Sequence, residues 1–145
     1  IIPLTSAAVT IFNKDYQGAT QLALGMGLSV GTTEAIKGII HETRPNGGCC
    51  RSFPSGHVSA AFTGAAFINF RYGFIYSVPL YAGAAYVAYS RVQTNAHHVR
   101  DVVAGGVIGV GAAYLSTTKL CSGRLSVTAD DKSAGIIYRE IFDTT

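Results

Sequence analysis

Four long stretches of the chain contain no Asp, Glu, Lys or Arg, and each is 17 to 19 residues long. They cover residues 16–33, 52–70, 72–90 and 102–118. Apolar stretches of this length with no internal turn cluster are too long for strands and predict helices. We expect helices at about 16–42, 56–70, 73–92 and 98–118.

Two prolines bear on the expected helix boundaries. Pro45 should end the first helix, because the residue before a proline is biased away from helical geometry. Pro79 lies inside the third apparent helix, so a kink or a later start is expected there. The fold expected is all-α: a compact helical bundle of about four core helices.

The C-terminal tail has a different pattern. Residues 124–128 alternate in polarity, 129–135 are rich in turn residues, and 136–142 are β-branched and aromatic. This pattern predicts a short C-terminal β-hairpin within 121–145. At 145 residues the chain is expected to be a single domain, with its core at about 16–118.

Charged residues make up 13% of the chain, about half the share usual in soluble domains. The net charge of +3 is not gathered into a run or stripe, so nucleic-acid binding is not supported. Glycines four residues apart, Gly27 with Gly31 and Gly105 with Gly109, predict close helix approach. These features fit a membrane-embedded bundle and equally a soluble or peripheral one.

The cysteines leave two readings open. Cys49 or Cys50 could bond to Cys121 in an oxidising compartment, or all three thiols could be reduced. Their spacing does not suggest a zinc site.

Two polar segments flank the expected break between the first and second helices. Lys37 and Arg44 are seven residues apart, so on one helix they would share a face near its end. Arg offers a planar fork to an oxyanion, and Lys offers a point charge. Ser55, Gly56 and His57 follow Pro54, where a helix start would gather free N–H groups that attract an anion.

A third polar segment joins the last two expected helices. Ser90 and Arg91 close one helix, and His97 and Asp101 open the next at i and i+4. A carboxylate at that spacing can accept from one ring nitrogen and leave the other as a nucleophile. In an antiparallel bundle, all three segments would meet at one end. We expect His98, His41 and Glu42 to lie at the rim or to be solvated.

These three segments resemble the motifs of the type 2 phosphatidic acid phosphatase superfamily. That superfamily includes bacterial class A acid phosphatases, lipid phosphate phosphatases and vanadium haloperoxidases. Its pattern KxxxxxxRP, PSGH and SRxxxxxHxxxD is matched without substitution by Lys37-x6-Arg44-Pro45, by 54–57, and by Ser90-Arg91-x5-His97-x3-Asp101. The resemblance covers about 16–118.

The resemblance implies a role for each matched residue. Lys37, Arg44 and Arg91 would bind the phosphoryl oxygens, helped by Ser55 and the Gly56 amide. His97 would attack phosphorus and form a phosphohistidine, and Asp101 would orient His97. His57 would protonate the leaving oxygen and then activate water. No metal or other cofactor is expected, although phosphate or vanadate could occupy the site.

The expected function is therefore a phosphatase on phosphate monoesters, with a lipid or polyprenyl phosphate favoured because the helices are so apolar. The resemblance and the possible disulfide indicate the periplasmic or extracytoplasmic side of a bacterial cell envelope. Membrane association and inner-membrane embedding stay open. Three alternatives stay open: phosphotransfer to an acceptor other than water, vanadate-dependent halide oxidation, and a non-catalytic helical envelope protein. The oligomeric state is not indicated.

Overall fold

The computed structural model describes residues 1–47, 50–118, 125–130 and 133–138. In these ranges the chain forms five helices and two strands. They are α1 (Ile2–Phe12), α2 (Tyr16–Ile39), α3 (Gly56–Tyr72), α4 (Phe74–Gln93), α5 (Val99–Ser116), β1 (Leu125–Asp130) and β2 (Ser133–Tyr138). The predicted all-α bundle is confirmed.

Helix α3 is the centre of the bundle and packs against each of the other four helices. Its Phe67 and Ile68 are buried in the core, together with Leu22 of α2 and Ala113 of α5. This central position explains why the stretch 52–70 carries no charge, since an unpaired ion there would be desolvated at high cost. It also places the N-terminus of α3 between the ends of its neighbours.

The interior is built from small and hydroxyl-bearing residues. Ser6 of α1 is fully buried and donates to the Ile2 and Gly64 carbonyls, while Thr63 donates to the Ser59 carbonyl. Ser29 and Ser59 share a 2.5 Å hydrogen bond between α2 and α3. Because these hydroxyls are satisfied locally, helices can approach closely without leaving buried polar groups unpaired.

Close helix packing depends on one of the two predicted glycine pairs. A Cβ on Gly105 would lie 2.5 Å from the Ser55 carbonyl oxygen, and one on Gly109 would lie 2.3 Å from that of Ser59. Helix α5 therefore lies directly against the backbone of α3. The expectation for Gly27 and Gly31 is wrong, because a Cβ on either would meet no described atom within 4 Å.

Several predicted boundaries differ from the structure. Helix α2 ends at Ile39, with Ile40 extended, so the expected end at 42 is too late. Proline opposes helical geometry at itself and at the residue before it, so Pro45 sets a limit that α2 cannot pass but does not fix where α2 stops. Helix α4 begins at Phe74 and continues through Pro79, so the later start is also wrong. Helix α1 was not expected.

The expected C-terminal hairpin is present. Strands β1 and β2 pair antiparallel, from Leu125 opposite Tyr138 to Asp130 opposite Ser133. Both strands extend into the stretch that the sequence pattern assigns to the turn. The alternative disulfides involve Cys49 and Cys121, which lie outside the described residues.

A buried ion pair joins the helices at the end away from the three polar segments. Arg71, near the end of α3, donates from Nη2 to Asp15 Oδ1 at 2.6 Å and from Nε to Asp15 Oδ2 at 2.7 Å. The Tyr72 hydroxyl and the Gly18 amide also donate to this carboxylate. Arg71 reaches the Thr118 carbonyl as well, so α3 is tied to both the α1–α2 turn and the end of α5.

Candidate active site

The loops between α2 and α3 and between α4 and α5 are hydrogen-bonded to each other at one end of the bundle. The Ser55 amide donates to the Asp101 carbonyl at 2.9 Å, and the Asn46 amide donates to the Asn95 carbonyl at 3.2 Å. These loops and the helix ends beside them carry the three polar segments, so the segments converge at one bundle end as predicted.

Lys37 lies in the last turn of α2 and reaches over the N-terminus of α3. A Cβ on Gly56 would be 3.4 Å from Lys37 Nζ, so the ammonium group lies directly over the backbone of the first residue of α3. The same Nζ lies 3.4 Å from Glu34 Oε1, whose carboxylate also pairs with Arg51 at 2.6 Å. The positive end of the α3 dipole and the lysine charge therefore coincide.

Arg44 reaches this end of the bundle from outside α2. The expectation that Lys37 and Arg44 share one helix face is wrong, because the helix ends at Ile39. Arg44 instead lies in the extended segment that follows. Its charge nevertheless acts on both His57 and His97, so the loop carries it to the same centre as Lys37.

Among the described residues, several buried polar atoms at this centre have no hydrogen-bond partner; besides His97 Nδ1 and Asp101 Oδ1 they include Arg44 Nε, Arg91 Nε and Ser55 Oγ. Ser55 is fully buried, and it is the N-cap of α3 without a side-chain capping bond. Buried donors are rarely left unsatisfied in folded proteins. Two guanidinium groups and a hydroxyl at a helix N-terminus are the donor set that suits a bound oxyanion.

His57 lies in the first turn of α3 and is exposed. Partial desolvation lowers the pKa of its imidazole, and the charges of Arg91, Lys37 and Arg44 lower it further. All three fixed cations of the motifs are therefore close enough to act on this one ring. An anion bound among them would oppose the shift and favour protonation of His57.

His97 is 5% exposed, in the loop just before α5. Its Nδ1 lies 3.6 Å from Asp101 Oδ2, which is slightly beyond hydrogen-bond length. Burial lowers the pKa of His97, while the backbone of Ser52 and the Asp101 carboxylate oppose that shift. With Nδ1 turned toward Asp101, Nε2 is the ring nitrogen left for chemistry.

Ser52 is a site residue that the motifs do not contain. It is fully buried, and its Oγ donates to Asp101 Oδ2 at 2.5 Å. The His98 amide donates to the same oxygen at 3.0 Å. Asp101 is therefore held by two donors besides its contact with His97. Nothing in the sequence pattern distinguishes Ser52 from the other serines.

A second cluster lies beside Asp101. His98 Nδ1 is 3.8 Å from Glu42 Oε1 and 3.5 Å from Asp101 Oδ2, and the Arg100 guanidinium contacts Glu42. The ligand atoms of Glu42, His98 and Asp101 lie within 4.8 Å of one another. A divalent cation there would have to displace the Arg100 charge and the Ser52 hydrogen bond, so these residues fit an ion-pair network better than a metal site.

The arrangement gathers three fixed cations, a buried hydroxyl and two imidazoles at one end of a helical bundle, a set of groups suited to an oxyanion. This is the class of site that holds a tetrahedral or trigonal-bipyramidal oxyanion. The chain belongs to the PAP2 superfamily, whose family model matches residues 18–120.

Two curated proteins are similar to this chain. A lipid A 4'-phosphatase of Helicobacter pylori is 32% identical over 129 residues, which cover 81% of this chain and 65% of that protein. A lipid A 1-phosphatase of Porphyromonas gingivalis is 37% identical over 91 residues, which cover 61% of this chain and 20% of that protein. The chain thus spans less than two thirds of either relative's length. No solved structure matches it.

Proposed function

We propose that this chain is a phosphatase that hydrolyses phosphate monoesters of lipids through a phosphohistidine. The observation that carries the proposal is a set of three buried donors around His57 and His97 that have no partner in the described part of the chain: Arg44 Nε, Arg91 Nε and Ser55 Oγ. A phosphoryl group would satisfy all three donors. Lys37 and the Gly56 amide would take the remaining phosphoryl oxygens.

In the first step His97 Nε2 attacks phosphorus, so that a P–N bond forms while the ester P–O bond breaks. The leaving oxygen takes the ester electron pair and a proton from His57. Asp101 stabilises the charge that develops on the His97 ring. The cations stabilise the extra negative charge on the equatorial oxygens, which is commonly the largest contribution to such catalysis.

In the second step neutral His57 takes a proton from water while the water oxygen attacks phosphorus. The P–N bond breaks, its electron pair returns to His97, and inorganic phosphate leaves. His57 then carries the proton required for the next cycle. Because three side-chain cations supply the positive charge, we expect the reaction to need no metal ion.

A lipid substrate is favoured by the outer surface of the bundle. Large apolar side chains are exposed on every helix except α3; examples are Ile11, Leu24, Tyr86 and Val107. Exposed apolar side chains on four of the five described helices favour contact with a membrane. Within the described residues, α5 alone is long and apolar enough to cross a bilayer, at a mean hydropathy of 1.3.

The names of the relatives point to the same substrate class, since both are phosphatases of lipid A. We infer that the chain acts in a bacterial envelope, with its active-site end toward the extracytoplasmic side. The sugar-linked phosphate of lipid A is the natural first substrate to test.

The test is phosphate release by the purified chain from lipid A, phosphatidate, a polyprenyl phosphate and a soluble aryl phosphate, in the presence of a chelator. We expect turnover with chelator present and loss of at least about 1,000-fold in His97→Ala, because the nucleophile is gone. Acid-labile, base-stable labelling of the wild type by radioactive substrate, absent from His97→Ala, would identify phosphohistidine. Full activity in His97→Ala would overturn the mechanism.

Anion binding can be tested apart from turnover. Orthovanadate should raise the melting temperature of the wild type, because a ligand that binds only the folded state stabilises it. Arg91→Gln should reduce that shift. If neither vanadate nor phosphate changes the melting temperature of the wild type, the proposed anion site is contradicted.

A further inference from the structure

A long apolar groove runs along the bundle between α4 and α5, with α3 as its floor. Its volume is about 780 Å³, and its walls are Phe62 and Phe70 of α3, Ala85 and Ala88 of α4, and valines, glycines and Tyr114 of α5. Every lining residue is aliphatic, aromatic or glycine. The groove is therefore suited to hydrocarbon and not to a polar ligand.

The groove exists because the residues of α4 and α5 that face each other there are small and leave the space between the two helices unfilled. Both helices pack chiefly on α3 and touch each other little. A Cβ on Gly106 would only touch the Phe62 ring, at 3.9 Å, and one on Gly111 would meet nothing within 4 Å. Along its rim Val103 and Val107 are exposed by 59% and 68%. Apolar walls that are open in this way gain free energy when an apolar occupant covers them.

One end of the groove lies at the same end of the bundle as the proposed phosphate site. Val102, in the wall, directly follows Asp101 in α5, and Ala88 lies one helical turn before Arg91 in α4. From Val102 to Tyr114 the groove follows α5 for about 18 Å, at about 1.5 Å per residue. The cationic centre and one end of the apolar groove therefore lie at the same level along the bundle.

We propose that this groove holds one hydrocarbon chain of the lipid whose phosphate lies among Lys37, Arg44 and Arg91. This proposal rests on the proposed function and adds where the lipid chain lies. A second copy of the chain or a further protein segment could also cover apolar walls. Neither would account for the groove starting beside Asp101 and Arg91, whereas an amphiphile with an anionic head and an apolar tail matches both ends.

The first test is a series of n-alkyl phosphates of increasing length, assayed with the wild type and Gly111→Leu. In the wild type kcat/KM should rise with chain length by up to about fourfold per buried methylene. Gly111→Leu fills the groove away from the site. It should stop that rise at a shorter chain and lower kcat/KM for long chains by at least about tenfold, with short esters unchanged. Gly27→Leu, on the open face of α2, is the matched control and should behave as wild type.

Equal chain-length profiles for wild type and Gly111→Leu would overturn the groove assignment while leaving the phosphatase proposal intact. If instead no phosphate ester is turned over by the wild type, the proposed function itself fails.

A second test does not need turnover or a folded variant. A long-chain alkyl phosphate with a photoreactive group near the tail end should label α5 or α4 of the wild type around Gly111 and Tyr114. Vanadate should compete with that labelling, since both need the same anion site. Labelling spread over α1 and α2, or crosslinks between two copies through α5, would overturn the proposal.

Discussion

Ser52 Oγ donates a 2.5 Å hydrogen bond to Asp101 Oδ2, and both side chains are fully buried. The bond crosses from the α2–α3 loop to the first turn of α5. It fixes the carboxylate that faces His97 Nδ1 at 3.6 Å. The orientation of His97 therefore depends on a serine that lies outside all three motif segments.

We expect Ser52→Ala to lower kcat by roughly 10-fold to 100-fold and to change KM for a soluble aryl phosphate by less than about twofold. A hydrogen bond to a charged group contributes about 1.5–3 kcal/mol, and Ser52 is not among the proposed phosphate ligands. Steady-state kinetics measure both constants. Thr94→Ala, which removes an exposed hydroxyl at the same bundle end, is the control and should be silent. A raised KM with unchanged kcat would mean that Ser52 acts on binding instead.

Gly105 sets the distance between α5 and the phosphate-binding loop. We expect Gly105→Ala to destabilise the chain by about 1–3 kcal/mol, because its Cβ would meet the Ser55 carbonyl oxygen at 2.5 Å and the backbone must shift. The same shift should displace Ser55 and lower kcat/KM. Denaturant unfolding and aryl phosphate kinetics measure the two effects.

The control for Gly105→Ala is Gly31→Ala, whose Cβ meets nothing within 4 Å. Alanine is favoured over glycine inside a helix by about 1 kcal/mol, so this variant should be as stable as wild type or more so. Equal stabilities of the two variants would show that α5 can move away from Ser55 at little cost.

The sequence predicts the parts of this structure that follow from local chemistry. Helices α2 to α5 could be located because they are long uncharged stretches, and His57, His97 and Asp101 because their spacing fits a known arrangement. Ser52 could not be found, since its importance comes from a contact with Asp101, 49 positions away. The glycine pairs show the same limit: Gly27 and Gly105 have similar sequence surroundings, but only Gly105 faces another backbone.

The positive charges around His57 should control the pKa of its imidazole. Partial desolvation lowers the pKa of His57, and Arg91, Lys37 and Arg44 lower it further, so these groups favour the neutral imidazole in the free chain. Removing one positive charge favours the protonated ring, so Lys37→Met should raise the pKa of His57. On the alkaline side of the pH profile, kcat/KM falls as the proposed acid His57 loses its proton. In Lys37→Met this fall should occur at higher pH.

NMR titration of the histidine ring protons measures this pKa without requiring activity. Lys14→Met removes an exposed lysine from the other end of the bundle and is the matched control. This variant should leave the pKa of His57 unchanged. Bound vanadate should shift the His57 pKa upward in the wild type, and a downward shift would be inconsistent with an anion among these cations.

The Asp15–Arg71 pair should control acid stability at the far end of the bundle. Hydrogen bonding from Arg71 lowers the pKa of Asp15 to about 2, against 3.8 for the free carboxyl. A group whose pKa is depressed by folding stabilises the folded state above its unfolded pKa and loses that effect as pH falls toward its folded pKa. The ionised Asp15 should therefore contribute about 2 kcal/mol above pH 4, and this contribution should vanish between about pH 4 and pH 2.

Asp15→Asn tests this relationship. At pH 7 we expect it to lower the free energy of unfolding by about 3–5 kcal/mol, because Arg71 would remain buried without its counter-charge. Its stability should also depend less on pH between 4 and 2 than that of the wild type. Glu34→Gln breaks exposed ion pairs and should cost less than about 1 kcal/mol. If Asp15→Asn kept the wild-type dependence on pH in that window, another carboxyl group would be responsible for the acid transition.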